Sequence, residues 1–236
     1  MYRRVLLKIS GEALGPRGLV DSSIEALVGE IRDAAETGAG IGIVLGGGNL
    51  LRARDLDLGC VRRPIKDRMG MLATVVNALA LGDALRAAGQ PAEVFTATHM
   101  PGIAEPFRME VVRECLDDGQ IVLLAGGTGH PFFTTDTAAA LRTLEIGAEA
   151  LLKATKVDGV YSDDPVANPD AVRYDTLSYD RVVELDLKVM DLTAVVLLRD
   201  HGIPIQVFDM GVPGNMRRVL EGEPIGTRVM NDDGGG

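Results

Sequence analysis

Tryptophan is absent from this chain, cysteine occurs twice in 236 residues, and aromatic side chains make up only 4% of it. Cys60 and Cys115 lack metal-type spacing and are too few for a disulfide framework, so both read as reduced bystanders. No unbroken apolar run approaches the roughly 20 residues of a membrane span. Met1 to Ser10 reads as a strand without the long apolar stretch of a signal peptide, so the expected location is the cytoplasm, with no membrane partner. Positive charge is also short: 24 Lys and Arg stand against 34 Asp and Glu, a formal net charge of -10. A nucleic-acid surface needs an excess of cations to displace counterions, so general nucleic-acid binding is not expected. Any anionic ligand must be held by local groups, such as backbone amides at helix starts and a few placed cations.

Familiar catalytic signatures are missing as well. There is no Gly-Lys-Ser/Thr of a Walker P-loop, no protein-kinase catalytic loop or Asp-Phe-Gly, and no Gly-x-Ser-x-Gly elbow. No Gly-x-Gly-x-x-Gly follows the early strands, which weakens a dinucleotide reading. His99, His130 and His201 are too scattered for a metal site, and the metal ligands stay unassigned.

What is present is an ordinary globular composition, 46% hydrophobic and 25% charged, in a length that suits one large domain. Strand-like runs alternate with amphipathic ones. Val5 to Ile9, Ile41 to Leu45, Glu93 to Thr96, Ile121 to Ala125 and Ala150 to Lys153 read as strands. Ser22 to Thr37, Lys66 to Ala88, Glu105 to Asp117 and Asp136 to Ile146 read as helices. This alternation predicts an α/β fold with a mostly parallel sheet between two helical layers. Beyond Lys153, Asp158-Gly159 reads as a hairpin-type turn, with helices over Tyr179 to Leu185, Met190 to His201 and Asn215 to Leu220 and a strand over Ile205 to Phe208. The tail from Asn231 to Gly236 has no apolar residue and is expected to be disordered.

Four segments directly follow predicted strands, where ligands bind in open α/β sheets. Lys8-Ile9-Ser10-Gly11 places a lysine before a turn able to present amides to phosphate; an edge lysine and a turn glycine are the plainer explanation. Gly46-Gly47-Gly48-Asn49 lets a ligand approach the backbone itself, with the Arg52 fork close behind. A tight strand-to-helix turn would rarely need three glycines. Gly126-Gly127-Thr128-Gly129-His130-Pro131 runs through Phe132-Phe133 to Thr134-Thr135-Asp136, where a threonine can cap the helix and its amides attract an anion. Phe132 and Phe133 suit either the core or stacking on a planar base. Lys153-Ala154-Thr155-Lys156-Val157-Asp158-Gly159-Val160-Tyr161 offers a second strand-end lysine and a ring, or else a hairpin with solvated charges. Glycines and distributed cations together point to phosphoryl transfer.

These segments, in this order, resemble the bacterial uridylate kinases of the amino acid kinase superfamily over nearly the whole chain. The matching stretches are Leu7 to Leu14, Gly46 to Leu50, Met69 to Thr74, Pro131 to Asp136, Lys153 to Val160 and Lys188 to Asp191. The resemblance implies an α/β/α sandwich, usually hexameric, using ATP and Mg2+ as phosphoryl source and UMP as acceptor, with UTP as feedback inhibitor. It implies one domain over 1–230, with an acceptor-binding part over roughly 1–150 and an ATP-binding part over roughly 151–230. Lys8, Ile9, Ser10, Gly11, Gly48 and Arg52 would meet ATP phosphates, and Thr155, Tyr161 and Asp164 its nucleoside. Gly47, Asp67 and the run Thr128, Gly129, His130, Pro131, Phe132, Phe133, Thr134, Thr135 would hold UMP. Lys8, Arg52 and Lys153 would stabilise the transferring group, with Asp136 or Asp191 orienting lysine or magnesium. Two departures stand out. His130 occupies a position where relatives commonly have asparagine, and Leu14 to Val20 is shorter than the segment linked to GTP activation. A sister kinase acting on a carboxylate or carbamate, and a non-catalytic nucleotide-binding protein on the same fold, are the alternatives.

Overall fold

The computed structural model describes residues 1–51, 59–163, 165, 167–168 and 170–232. The strand β1 (Arg4–Ile9) is apolar on both faces, with Val5, Leu6, Leu7 and Ile9 fully buried, as a central parallel strand must be. A short 3-10 turn (Gly11–Leu14) leads to α1 (Asp21–Ala35) and then to β2 (Gly40–Leu45), which is parallel to β1 in the register Lys8 to Val44. The chain continues through α2 (Arg63–Ala87), β3 (Ala92–Thr96), β4 (Glu105–Pro106), α3 (Met109–Asp117), β5 (Ile121–Ala125) and α4 (Thr135–Ile146). Next come β6 (Ala150–Thr155), the short β7 (Val160–Tyr161) and β8 (Arg173–Tyr174), β9 (Thr176–Ser178) and α5 (Tyr179–Glu184). Finally α6 (Leu192–Asp200), β10 (Ile205–Asp209), α7 (Asn215–Leu220) and β11 (Thr227–Met230) complete the order.

The main sheet runs β4-β3-β5-β2-β1-β6-β10-β11-β9, parallel except for the β10–β11 pair. The chain therefore builds outward from β1 in one direction up to β5 and in the other from β6 onward. That reversal beside β1 is a topological switch point, where a crevice opens at the carboxyl ends of the strands. Val5, Leu7 and Ile9 pack with side chains of α1, α2 and α7 on one face, and Leu6 packs with α3, α4, α5 and α6 on the other. The predicted three-layer α/β/α fold is the observed one.

Local differences have local causes. The helix expected from Glu105 begins instead at Met109: Glu105 and Pro106 form an edge strand on β3, and Phe107 donates to Thr96 O at 2.9 Å. Proline tolerates an edge strand but disfavours helix at the residue before it. Asp158-Gly159 is no hairpin, because β7 pairs with β8 farther along and not with β6. Gly159 is needed there for close approach, since a Cβ on it would stand 2.6 Å from Thr227 Oγ1. The helix expected from Met190 starts at Leu192, capped by Asp191. Neither β9 nor β11 was anticipated, both being too short to show a periodicity. In the tail, Asn231 is held by a 3.1 Å bond to Arg199 O, and residues 233–236 lie outside the described ones.

By length and composition α2 would qualify as a membrane span, with a mean hydropathy of 1.2 over its most apolar window. Some 44% of that window is buried in the protein, where Val75, Ala78, Leu81 and Leu85 pack against the sheet. Each buried valine or leucine among them contributes about 1.5–3 kcal/mol relative to exposure.

Candidate active site

Parallel pairing of β1 with β6 sets Lys8 directly beside Lys153. Residues in register on neighbouring strands project to the same face, so two ammonium groups share one spot. The helix α4 packs on that face and delivers Asp136 from its first turn. Asp136 Oδ1 lies 2.7 Å from Lys8 Nζ, and Oδ2 lies 3.5 Å from Lys153 Nζ. The three side chains are only 13%, 15% and 17% exposed for Lys8, Lys153 and Asp136. Burial by itself would raise the Asp136 carboxyl, but Lys8 and then Lys153 outweigh it and hold the group below its ordinary value. Burial pulls the Lys153 ammonium down, and the like charge of Lys8 adds to that while Asp136 opposes it. Lys153 also donates to Val189 O. Two cations thus share one directly paired anion, with the Asp191 carboxylate acting on Lys153 as well.

The start of α4 is fixed from two sides. Thr134 is the N-cap and accepts from Asp136 N at 3.0 Å, as the hydroxyl run predicted. Asp191 accepts from Thr137 N at 3.1 Å, from Thr137 Oγ1 at 2.8 and 2.9 Å, and from Thr134 Oγ1, while capping α6 through Ala194 N at 2.9 Å. Asp136 thus orients the lysines, and Asp191 orients the helix that carries Asp136.

A cavity of about 300 Å³ opens beside this helix start, lined by Gly47, Gly48, Asp67, Thr128 and the stretch Phe132 to Thr135. Gly129, His130 and Pro131 belong to the same loop but do not line it. Phe132 and Phe133 are exposed and are not core residues. Phe132 holds a left-handed backbone at φ 76°, uncommon for a bulky residue; its amide donates to Asp67 Oδ2 at 2.9 Å, and the Arg63 guanidinium stands 5.3 Å over its ring. Asp67 is therefore already engaged in shaping the loop. Gly126, Gly127 and Gly129 have φ near 80°, 60° and 78°, which only glycine adopts without strain.

A second cavity, about 600 Å³, is lined by Lys153, Thr155, Tyr161 and Asp163 among others. Tyr161 donates to Asp158 Oδ1 at 2.6 Å, which fixes its ring beside the opening. Ser10 accepts from Glu12 N at 3.4 Å and caps the turn at Gly11, whereas the Ile9 side chain is buried and offers only backbone. Arg52 and Asp164 lie outside the described residues. Another cavity of about 560 Å³, at the β4 edge near Arg86 and His99, contains none of the predicted residues. Among the described residues no three His, Cys, Asp or Glu side chains converge in a way that could hold a metal.

Sequence reasoning missed the polar face of α2. Thr74 accepts from Gly126 N at 2.9 Å, and Asn77 donates to Gly46 O at 2.7 Å. The available signal was two polar residues, three apart, among the apolar positions Ala73, Val75, Ala78 and Leu81.

Because its folded value is depressed, Asp136 contributes stability that is complete above the ordinary carboxylate range and is lost as pH falls through the lowered value. Asp136→Asn should destabilise by about 3–5 kcal/mol near neutral pH. The gap to the wild type should close below about pH 4. Denaturant titrations across that range measure it, and a gap independent of pH would contradict the pairing.

The model of the amino acid kinase family matches residues 3–209. A uridylate kinase of Legionella pneumophila is 51% identical over 231 residues, covering 97% of this chain and 94% of that protein. A uridylate kinase of Aeromonas hydrophila is also 51% identical, over 97% and 95%. Among solved structures, a UMP kinase from Bacillus anthracis superposes with a TM-score of 0.94 at 36% identity, covering 98% of this chain and 97% of that one. A UMP kinase from Ureaplasma parvum gives a TM-score of 0.91 at 31% identity, covering 98% of this chain and all of that one (100%). With matching sequence along almost its whole length and a chain trace that superposes on UMP kinase structures, this chain belongs to the amino acid kinase family.

Proposed function

We infer that this chain transfers the γ-phosphoryl group of ATP to UMP, giving UDP and ADP in pyrimidine nucleotide synthesis. The observation that carries the reading is the Lys8–Asp136–Lys153 cluster, with Lys153 in the wall of the larger cavity and the start of the Asp136 helix in the wall of the smaller, in a chain about half identical to uridylate kinases over 97% of its length. The smaller cavity takes UMP, with Gly47 against its phosphate, Asp67 near its ribose and the Thr128 to Thr135 loop around it. The larger takes the ATP nucleoside beside Thr155 and Tyr161, while Ser10, Gly11 and Gly48 receive its phosphates; for Asp164 and Arg52, outside the described residues, the same roles rest on the resemblance alone.

Lys8 and Lys153 neutralise charge on the phosphoryl oxygens as the group moves. Asp136 keeps the two ammonium groups together until the phosphates arrive. No general base is required, because the acceptor is already an anionic phosphate oxygen, and alignment plus charge neutralisation suffice. Mg2+ would enter with ATP and would supply further charge neutralisation. The donor set supports that route, since the buried carboxylate, Asp136, is already committed to two lysines. UTP, resembling the product, would act as inhibitor, and the enzyme would work in the cytoplasm.

Assembly into a homohexamer is part of this reading. The exposed flank of α2 carries Ile65, Leu72 and Val76, one apolar stripe at helical spacing that a second copy would cover. Leu72→Asp should shift the chain toward smaller species in sedimentation velocity; an unchanged distribution would place the contacts elsewhere.

Turnover is tested by coupled ADP release with ATP, Mg2+ and a panel of UMP, CMP, dTMP, acetylglutamate and carbamate. UMP should be strongly preferred, and absence of turnover with every nucleoside monophosphate would overturn the assignment. Lys8→Ala should lower kcat about 100-fold or more in a protein that still folds. A normal rate in that variant would remove Lys8 from the chemistry.

A further inference from the structure

The two glycine turns that follow β1 and β2 touch each other. Gly46 N donates to Ile9 O at 2.9 Å, and a Cβ on Gly11 would fall 2.5 Å from Gly46 O and closer still to Asn49 Oδ1. Neither turn can shift without the other. What locks them is a buried pair of amides. Asn77, fully buried at 0% exposure in the middle of α2, donates through Nδ2 to Gly46 O at 2.7 Å and to Asn49 Oδ1 at 2.7 Å. Asn49 Nδ2 donates back to Asn77 Oδ1 at 3.2 Å and onward to Gly18 O at 2.9 Å, and Gly18 N returns a 2.9 Å bond to Asn49 O. One turn of helix earlier, Thr74 binds Gly126 N. A single helix face therefore grips the turns after β2 and β5, and through Asn49 it also reaches the turn after β1.

A buried amide costs free energy unless its hydrogen bonds are made, and a leucine would fill the same space without that requirement. The geometric gain from Asn77 is direction: its donors fix where the Gly46 carbonyl points and where Asn49 sits against Gly11. We propose that Asn77, together with Asn49, is a positioning residue for phosphoryl transfer, setting the spacing between Ser10 and Gly11 after β1, which receive donor phosphates, and Gly47 after β2, which receives the acceptor phosphate. This rests on the assignment of those turns under the proposed function. It predicts little influence on either nucleotide alone and a large one on the alignment of both, because a displacement of about 1 Å can cost on the order of 100-fold in rate.

The experiment is calorimetric binding of UMP, of ADP and of an adenosine–uridine dinucleotide joined through a polyphosphate chain, to the wild type, Asn77→Asp and Asn77→Leu. Steady-state kinetics and a thermal melt accompany each protein. Asn77→Asp puts an oxygen where two donors stood, and Asn77→Leu removes them without that repulsion. In both, single-nucleotide affinities should stay within about 3-fold, while the two-headed ligand weakens by about 10-fold or more and kcat falls about 100-fold with KM little changed. Equal losses for single and two-headed ligands would reveal a merely structural role and overturn the proposal, as would no loss at all. If both substitutions prevent folding, Asn49→Ala reads the same contrast from the other end of the pair. A wild type that binds no UMP overturns the functional reading and this inference with it. A wild type that phosphorylates UMP alongside an equally active Asn77→Leu overturns the positioning role alone.

Discussion

Two like charges side by side on adjacent strands, and the single carboxylate that makes this tolerable, govern the rest of the site. Lys8 and Lys153 stand in register, so their ammonium groups repel unless an anion intervenes. Asp136 supplies it from the first turn of α4. The arrangement then imposes conditions outward. The helix must begin at one particular place, which Thr134 and Asp191 enforce, and Asp191 must itself be held, which its capping of α6 achieves. A chain with a formal net charge of -10 can bind polyanions only through such local concentration.

The glycines serve packing and conformation as much as ligand access. A Cβ on Gly47 would press on Ala73 and the Gly70 carbonyl, at 2.9 Å each, so this residue lets α2 approach the end of β2. Gly11 and Gly46 allow their two turns to meet, and the Gly126 to Gly129 loop depends on left-handed backbone. Close approach has a polar consequence: the carbonyls and amides that these turns leave behind are taken up by Thr74 and Asn77, polar groups on an otherwise apolar helix face. Rigid turns of this kind suit phosphoryl transfer, whose demands are alignment and charge.

Much of this was legible in the chain before folding. Alternating runs such as Val5 to Ile9 and Ser22 to Thr37 announced strands and helices because burial on one or two faces imposes a period of its own. The lysine, glycine and threonine segments stood at strand ends; the structure sets Lys8 beside Lys153 and brings Gly47 and Thr134 to the wall of one cavity, with Lys153 in the wall of another. Where the reading failed, longer-range packing overrode a local signal. Asp158-Gly159 has hairpin chemistry, yet Gly159 is dictated by Thr227, 68 positions away by subtraction of the two numbers. Phe132 and Phe133 suit either the core or stacking on a base by sequence, and the fold leaves both exposed, with the Phe132 amide held by Asp67.

The sequence by itself determined the element order, the α/β class and the chemical types gathered at strand ends, since these follow from local periodicity and from what phosphates require of their partners. Only the tertiary structure decided that β6 lies beside β1, and with it the contact of Lys8 with Lys153 and the place of Asp136 between them. It alone decided that Asn77, an unremarked polar residue in a long helix, would meet Asn49 and Gly46. The physical reason is that strand order is a choice among several chirally allowed crossovers, settled by how whole layers bury their faces, and no local period encodes it.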